Sequence, residues 1–359
     1  MQIKLSGSIY TGMVIFFIIT SGISSADVVN MEKVSFFEGN VSSLTIAENY
    51  TYIAQGHDLV VLDGTNVSNI SEIGRLAVPW EIHDVVISGN YVYVTNGTDS
   101  LFSMNITDPS SPMFEGSFDP SGLVVDVEVA GNYAYVIDHH NGLIIEDISN
   151  LSSPTQVSSL NLNDLAYGIA LSGKYAYVTV WNGLMIIDIS DPASPIIMGN
   201  HAIPEYNNDV YVSGNYAYMI CDESNTLEIV DISNPVEPSF AGIYYYAADG
   251  QAYDVAVSGN YVCLAVCGGL RILDITDPAA PTFAGSYDTN GSVSDVEVTG
   301  NYVYVTEDKD GLLILDLNTG TETTTQAANS TRNSTAGKEK LNVLCTYTFP
   351  ILHLKAFLH

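Results

Sequence analysis

Apolar and polar positions alternate along most of this chain, and the alternation returns at a nearly fixed interval. Runs such as Asp126-Val-Glu-Val-Ala130 and Asp295-Val-Glu-Val-Thr299 have a period of two, as a strand with one covered face requires. A Gly-Asn pair follows, and a second strand opens on tyrosine, as in Tyr133-Ala-Tyr-Val-Ile137. The two runs read as a hairpin, with Gly and Asn supplying positive φ at its turn. After a polar loop comes an almost unbroken apolar run ending in Asp, such as Leu184-Met-Ile-Ile-Asp188. A strand apolar at successive positions is covered on both faces. An Asp-Pro or Asn-Pro turn ends it (Asp191-Pro192, Asn234-Pro235, Asp277-Pro278), because proline cannot continue a ladder. A weaker fourth strand closes the unit, as at Met113 to Phe118 or Phe283 to Tyr287.

The tyrosine that opens the second strand recurs at Tyr50, Tyr91, Tyr133, Tyr175, Tyr216, Tyr261 and Tyr302. A period of this size means one supersecondary unit repeated. Each unit reads as a four-stranded antiparallel meander with apolar side chains on both faces, and no such sheet is stable without a neighbour on each side. Radial closure supplies the neighbours. The expectation is therefore an all-β, seven-bladed β-propeller. The seventh unit lacks its own fourth strand, but an unassigned strand, Val34-Ser-Phe-Phe37, precedes the first. It is expected to complete the last blade and so to take Phe36 and Phe37 out of water.

The apolar run ending in Asp resembles the signature of LVIVD-repeat proteins. It stands here as Leu59-Val-Val-Leu-Asp63, Leu101-Phe-Ser-Met-Asn105, Leu143-Ile-Ile-Glu-Asp147, Leu184-Met-Ile-Ile-Asp188, Leu227-Glu-Ile-Val-Asp231, Leu270-Arg-Ile-Leu-Asp274 and Leu312-Leu-Ile-Leu-Asp316. The second copy departs, with Ser103 and Asn105. The resemblance covers residues 33–318. It implies a β-propeller and an exported or cell-surface location, known mainly from archaea and bacteria. It brings no catalytic residues.

The ends differ from the middle. Residues 1–26 read as a signal peptide, with Lys4, an apolar stretch from Met13 to Thr20, and small residues at Ser24-Ser25-Ala26. Residues 319–340 form a Thr/Ser/Asn-rich linker or stalk. Residues 341–359 are an apolar tail interrupted by Pro350, His353 and Lys355, a poor membrane span and a doubtful anchor. Several Asn-x-Ser/Thr tripeptides, among them Asn66, Asn69, Asn150 and Asn290, offer glycosylation sites in an exported protein. Asn49 and Asn105 carry the tripeptide too, but fall inside expected strands.

Charge narrows the partners. Ten Lys and Arg stand against 41 Asp and Glu, a net −31 that repels phosphate backbones and suits cations or basic partners. Nucleic acid is an unlikely ligand on that ground. Cys221, Cys263, Cys267 and Cys345 are too few for a disulfide scaffold. Cys221 and Cys267 fall at equivalent strand ends, but their strand parities differ, so free buried thiols are expected.

In a meander, the loop between the second and third strands shares one end of the sheet with the link to the next unit. On this upper face fall Trp80, His83, His139, His140, Trp181 and Tyr206, whereas the lower turns are repetitive. Varied aromatic and ionisable loops on a rigid ring mark a binding face, for an envelope protein or a glycan. A second feature is the aspartate opening the first strand: Asp84, Asp126, Asp209, Asp254 and Asp295, with Ser43 and Gly168 at the equivalent places. Two readings stand open. The carboxylates accept backbone hydrogen bonds from a neighbouring unit, or they crowd at a channel mouth and hold Ca²⁺ as a cofactor. The second would permit a metal-assisted hydrolase or lactonase. No nucleophile elbow, phosphate loop or zinc-protease motif is present, and the histidines lack zinc-ligand spacing. The favoured function is a secreted or cell-surface binding module.

Overall fold

The computed structural model describes residues 29–318, except 97–99, 120–121, 204, 247–249 and 308–309. The signal-like, stalk and tail segments lie outside the described residues, as does Cys345.

Every repeat contributes strands in the order the sequence predicts. A leading strand is β1 (Asn30–Phe37). The first sheet is β2 (Ser43–Ala47), β3 (Tyr50–Gln55), β4 (Asp58–Asp63) and β5 (Ser71–Ala77), and the second is β6 (Asp84–Ser88), β7 (Tyr91–Thr95), β8 (Leu101–Asn105) and β9 (Met113–Phe118). The third is β10 (Val124–Ala130), β11 (Tyr133–Asp138), β12 (Gly142–Asp147) and β13 (Thr155–Leu160). The fourth is β14 (Ala166–Ser172), β15 (Tyr175–Val180), β16 (Gly183–Asp188) and β17 (Ile196–Ala202). The fifth is β18 (Asn207–Ser213), β19 (Tyr216–Cys221), β20 (Thr226–Asp231) and β21 (Ser239–Tyr245). The remaining strands are β22 (Ala252–Ser258), β23 (Tyr261–Asp274), β24 (Thr282–Thr299), β25 (Tyr302–Glu307) and β26 (Gly311–Asn318).

Here the expected count is corrected. The last two repeats share one six-stranded sheet, ordered β1-β26-β25-β24-β23-β22, so six sheets form rather than seven separate ones. The cause is local. β23 pairs first with β22 and then, from Gly269 to Asp274, with β24, while Cys267 pairs with Ser292. The segment that is a free loop in other repeats stays in the ladder. β24 then runs on to pair with β25. The antiparallel four-strand pattern holds in the other five sheets.

β1 pairs antiparallel with β26 along its length, so both ends of the described chain meet in one sheet. It is longer than the four residues expected. Phe37 packs into the cluster of Leu44, Ile53, Tyr304 and Ile314. Phe36 does not: it stays 47% exposed, with the Lys33 ammonium 3.8 Å from its ring centroid. Alternation explains the split, since neighbours on a strand face opposite sides.

The core lies between successive sheets. The third strands are buried along their interiors, as in Leu59 to Leu62. The Tyr-x-Tyr pairs put their second ring into the inter-sheet core, with Tyr52, Tyr93, Tyr135, Tyr177, Tyr218 and Tyr304 buried. Close approach is set on the outer strands. A Cβ on Gly74 would lie 2.2 Å from the Pro109 carbonyl oxygen of the next repeat, and one on Gly242 would lie 2.0 Å from that of Pro278. Where Ser158 replaces this glycine, its hydroxyl donates to the equivalent Pro192 carbonyl at 2.6 Å. At the hairpin turns only the glycine takes positive φ, as at Gly89, and Asn does not; in the first repeat Glu48 holds that conformation with φ of 54°. Asn49 therefore sits at a turn between β2 and β3, not inside a strand as expected.

The cysteines divide. Cys221 and Cys263 are free and buried. Cys267 is disulfide-bonded, against the expectation of a free thiol, and Cys221 is not its partner.

Candidate functional site

The first strand of each repeat lines a central channel, and its lining sets the electrostatics of the molecule. In most repeats that strand carries a β-bulge at its upper end, between Val124 and Asp126, Ala252 and Asp254, or Val293 and Asp295 for example. A bulge turns two consecutive side chains to one side. Thus Tyr167 and Gly168, Asn208 and Asp209, and Tyr253 and Asp254 all border the upper mouth, with His83. The mouth encloses about 260 Å³, and the channel below it about 440 Å³. Thr45, Glu128, Tyr211, Ala256 and Glu297 line the deeper part.

All five aspartates border this channel, and the structure shows what they do. The Asp126 carboxylate accepts the Ile169 N–H at 2.7 Å, Asp254 that of Val296 at 2.6 Å, and Asp295 that of Leu44 at 2.8 Å. Each bond joins one repeat to the next, and the last closes the ring. Asp84 accepts the Ser43 hydroxyl at 3.0 Å. At Gly168 the space is tight: a Cβ there would lie 3.1 Å from the Asn208 carbonyl oxygen and 3.2 Å from Asp209 Oδ1. Among the described residues, no group of three or more His, Cys, Asp or Glu side chains is arranged to hold a metal ion. The backbone-acceptor contact is thus present at Asp126, Asp254 and Asp295.

Enclosure without counter-charge raises these acids. Burial, and then the Asp295 charge, lift Asp84 to about 6. Asp126 and Asp254 rise well above the usual range, first through burial and then through their neighbours' charges. Glu128 rises to about 7 and Glu297 to about 8, again mainly through burial. None of the channel-lining residues is Lys or Arg.

Beside the mouth lies a row of rings from three successive repeats. His140 meets His139 with centroids 4.7 Å apart, and His139 meets Tyr167 at 4.9 Å. Tyr167 meets Tyr206 at 4.4 Å, and Tyr206 meets Trp181 at 6.0 Å. The interplanar angles of 63° to 75° are edge-to-face, the arrangement ring quadrupoles prefer. His139 Nδ1 lies 3.0 Å from the Ala166 carbonyl oxygen, which fixes its ring. Trp181 is 41% exposed and His140 is exposed, while the other three are half-buried.

Four of the six residues singled out for the upper face therefore come together. Tyr167 joins them unforeseen. His83 is exposed at the mouth but has no ring contact with the row. Trp80 belongs elsewhere: it stacks on Phe102 at 3.8 Å and packs into the core between the first and second sheets. Phe102 is the one aromatic residue at this place in the seven copies of the signature, and that was the available signal. The aspartates ending the third strands hold turns: Asp63 accepts the Thr65 N–H at 2.8 Å and Asp231 that of Ser233 at 2.9 Å.

Closed stacking of antiparallel four-stranded units around a lined channel defines a β-propeller. The sequence model of the LVIVD repeat matches seven times, at residues 38–78, 81–120, 121–161, 165–202, 206–245, 249–289 and 290–318. The chain belongs to the LVIVD repeat family. No curated protein matches. Solved structures share the fold at low identity. The Cps50 (Swd1) β-propeller domain of Myceliophteria thermophila is 11% identical with a TM-score of 0.67, covering 80% of this chain and 99% of its own. The computationally designed Ika8 protein is 10% identical with a TM-score of 0.60, covering 79% and 98%. BamB from Moraxella catarrhalis is 12% identical with a TM-score of 0.55, covering 82% and 84%.

Proposed function

We propose that this chain is an exported binding module that takes a protein of the cell envelope on its upper face. The observation that carries the reading is the row His140, His139, Tyr167, Tyr206 and Trp181, presented by three repeats on a rigid ring. Aromatic side chains bring much contact area at little entropic cost, which suits a docking surface. A disulfide at Cys267 and the leader-like residues 1–26 support export. The ring aspartates act within this reading as ties between repeats, so the metal-assisted hydrolase receives no support from them.

The test is a titration of the purified protein with envelope protein fractions and with cell-wall glycans, beside the Trp181→Ala and Trp80→Ala variants. Protein binding that weakens about fivefold in Trp181→Ala supports the reading. Trp80→Ala leaves binding unchanged once its folding is checked, because Trp80 is packed inside. Binding indifferent to Trp181 sinks it, and binding confined to the glycans replaces the protein ligand by a glycan.

A further inference from the structure

The aromatic row has a strongly one-sided electrical setting. Asp164 lies close enough to Tyr167 for its charge to act on the phenol, and Asp222 stands in the same relation to Tyr206. Asp164 is held in place: its Oδ1 accepts the Leu165 N–H and its Oδ2 the Asn182 amide, each at 2.9 Å. Asp222 Oδ2 accepts from Gln251 at 2.7 Å, while its Oδ1 is buried without a partner among the described residues. Glu205, next in sequence to Tyr206, is fixed by the Ser224 hydroxyl and N–H, both at 2.9 Å. The row meets the mouth at Tyr167, its middle member, which borders it together with Asp126 and Asp209.

The Lys and Arg among the described residues are Lys33, Arg75, Lys174 and Arg271. Lys33 covers Phe36, Arg75 binds Asp58 and Glu72, Lys174 binds Asp188, and Arg271 reaches Asp288. Among the described residues each Lys and Arg is engaged away from the row, which offers ring faces bordered by fixed carboxylates.

We propose that the row is a docking surface for a basic segment of a partner polypeptide, whose Lys or Arg side chains lie on the Trp181, Tyr206 and Tyr167 rings between the bordering carboxylates. This rests on the upper face being the binding surface. Rings attract cations through their quadrupole, and best where an anion stands nearby and water is partly excluded. Alternate side chains of an extended chain are about 7 Å apart, wider than the 4.4 Å and 6.0 Å steps of the row, so successive basic side chains need not take adjacent rings. A neutral glycan would use the rings but gain nothing from Asp164, Asp222 and Glu205.

The full chain is titrated at physiological salt with a labelled peptide alternating Gly and Arg, and with its Lys, citrulline and Glu analogues. An N-acetylglucosamine hexamer is the glycan arm. Citrulline keeps the shape of Arg and removes the charge, so binding should fall about tenfold. Asp164→Asn should weaken the Arg peptide more than Asp231→Asn, which changes net charge equally at a turn away from the mouth. Trp181→Ala should weaken it about fivefold. Melting curves of each variant exclude unfolding as the cause. The proposal is overturned if citrulline binds as well as Arg, if the two Asp variants behave alike, or if no Arg peptide binds up to about 1 mM. It also falls if only the hexamer binds. An envelope protein that needs Trp181 but is not displaced by the Arg peptide leaves the upper face as a binding surface and removes the basic segment alone.

Discussion

Two series of aspartates run through this chain with the same period and opposite surroundings. One ends the third strands, at Asp63, Asp147, Asp188 and Asp231, and lies on the lower turns. Hydrogen bonds from nearby Thr or Ser hold those carboxyls below the usual range, with Asp188 at about 2 through Lys174 and Ser190. The other opens the first strands, at Asp84, Asp126, Asp209, Asp254 and Asp295, and is raised chiefly by burial. Both accept backbone N–H groups. What separates them is whether water or other carboxylates surround the charge. The lower series ties each turn to itself; the channel series ties one repeat to the next.

The bond that should matter most is the one closing the ring. Asp295→Ala strands the Leu44 N–H, and about 2–3 kcal/mol of stability should be lost in denaturant melts at neutral pH. Asp295→Asn keeps an acceptor oxygen and removes a charge that raises Asp254 and Asp84, so it should be neutral or stabilising. Equal losses in both variants would mean that the charge itself, not the acceptor, holds the ring.

Glu146 sharpens the contrast by removing the backbone partner. It stands inside β12, fully buried, with both carboxylate oxygens unpartnered among the described residues, and burial raises it to about 7. Other repeats have Leu62, Met104, Ile187, Val230, Leu273 or Leu315 at this place. Glu146→Leu should gain about 1–2 kcal/mol at pH 8, because an uncompensated buried acid is replaced by an apolar side chain of similar size. Loss of stability would show that the acid has a partner, such as a buried water.

Much of this was legible in the chain, and the reasons are physical. Strand period, turn residues and the closing strand β1 follow from local alternation and from one unit lacking a strand. The count of separate sheets did not follow, because it depends on whether Cys267 to Gly269 stays in the ladder, and a free loop and a laddered one share composition. The mouth aspartates were legible as a series, and their acceptor role was one of two open readings. Tyr167 was missed because it reads as an ordinary inner-strand residue; only the bulge beside Gly168 turns it to the mouth. Trp80 was placed on the binding face by its loop, while its stacking partner Phe102 lies on another repeat.

The pH dependence separates the two series, which should act on opposite limbs. Glu297 is raised from 4.5 to about 8 and Glu128 to about 7. A raised carboxyl contributes stability that is present below its unfolded value and lost as pH rises through the folded one. Stability should therefore decline between about pH 4.5 and 8 on their account, by at most about 1.4 kcal/mol per pH unit for each group. Glu297→Gln should flatten that limb, since the amide keeps an oxygen for the Ile46 N–H while dropping the charge beside Asp295. The lower series has the reverse sign. Its lowered carboxyls contribute stability that is present above 3.8 and lost as pH falls through their folded values, near 2 for Asp188. Asp231→Asn should flatten only this acid limb, by less than Glu297→Gln flattens the other. Melting temperatures from pH 2 to 9 for the two variants decide it. If each variant moves both limbs, the two series are not electrostatically separate, and their charges act on one another across the ring with little screening.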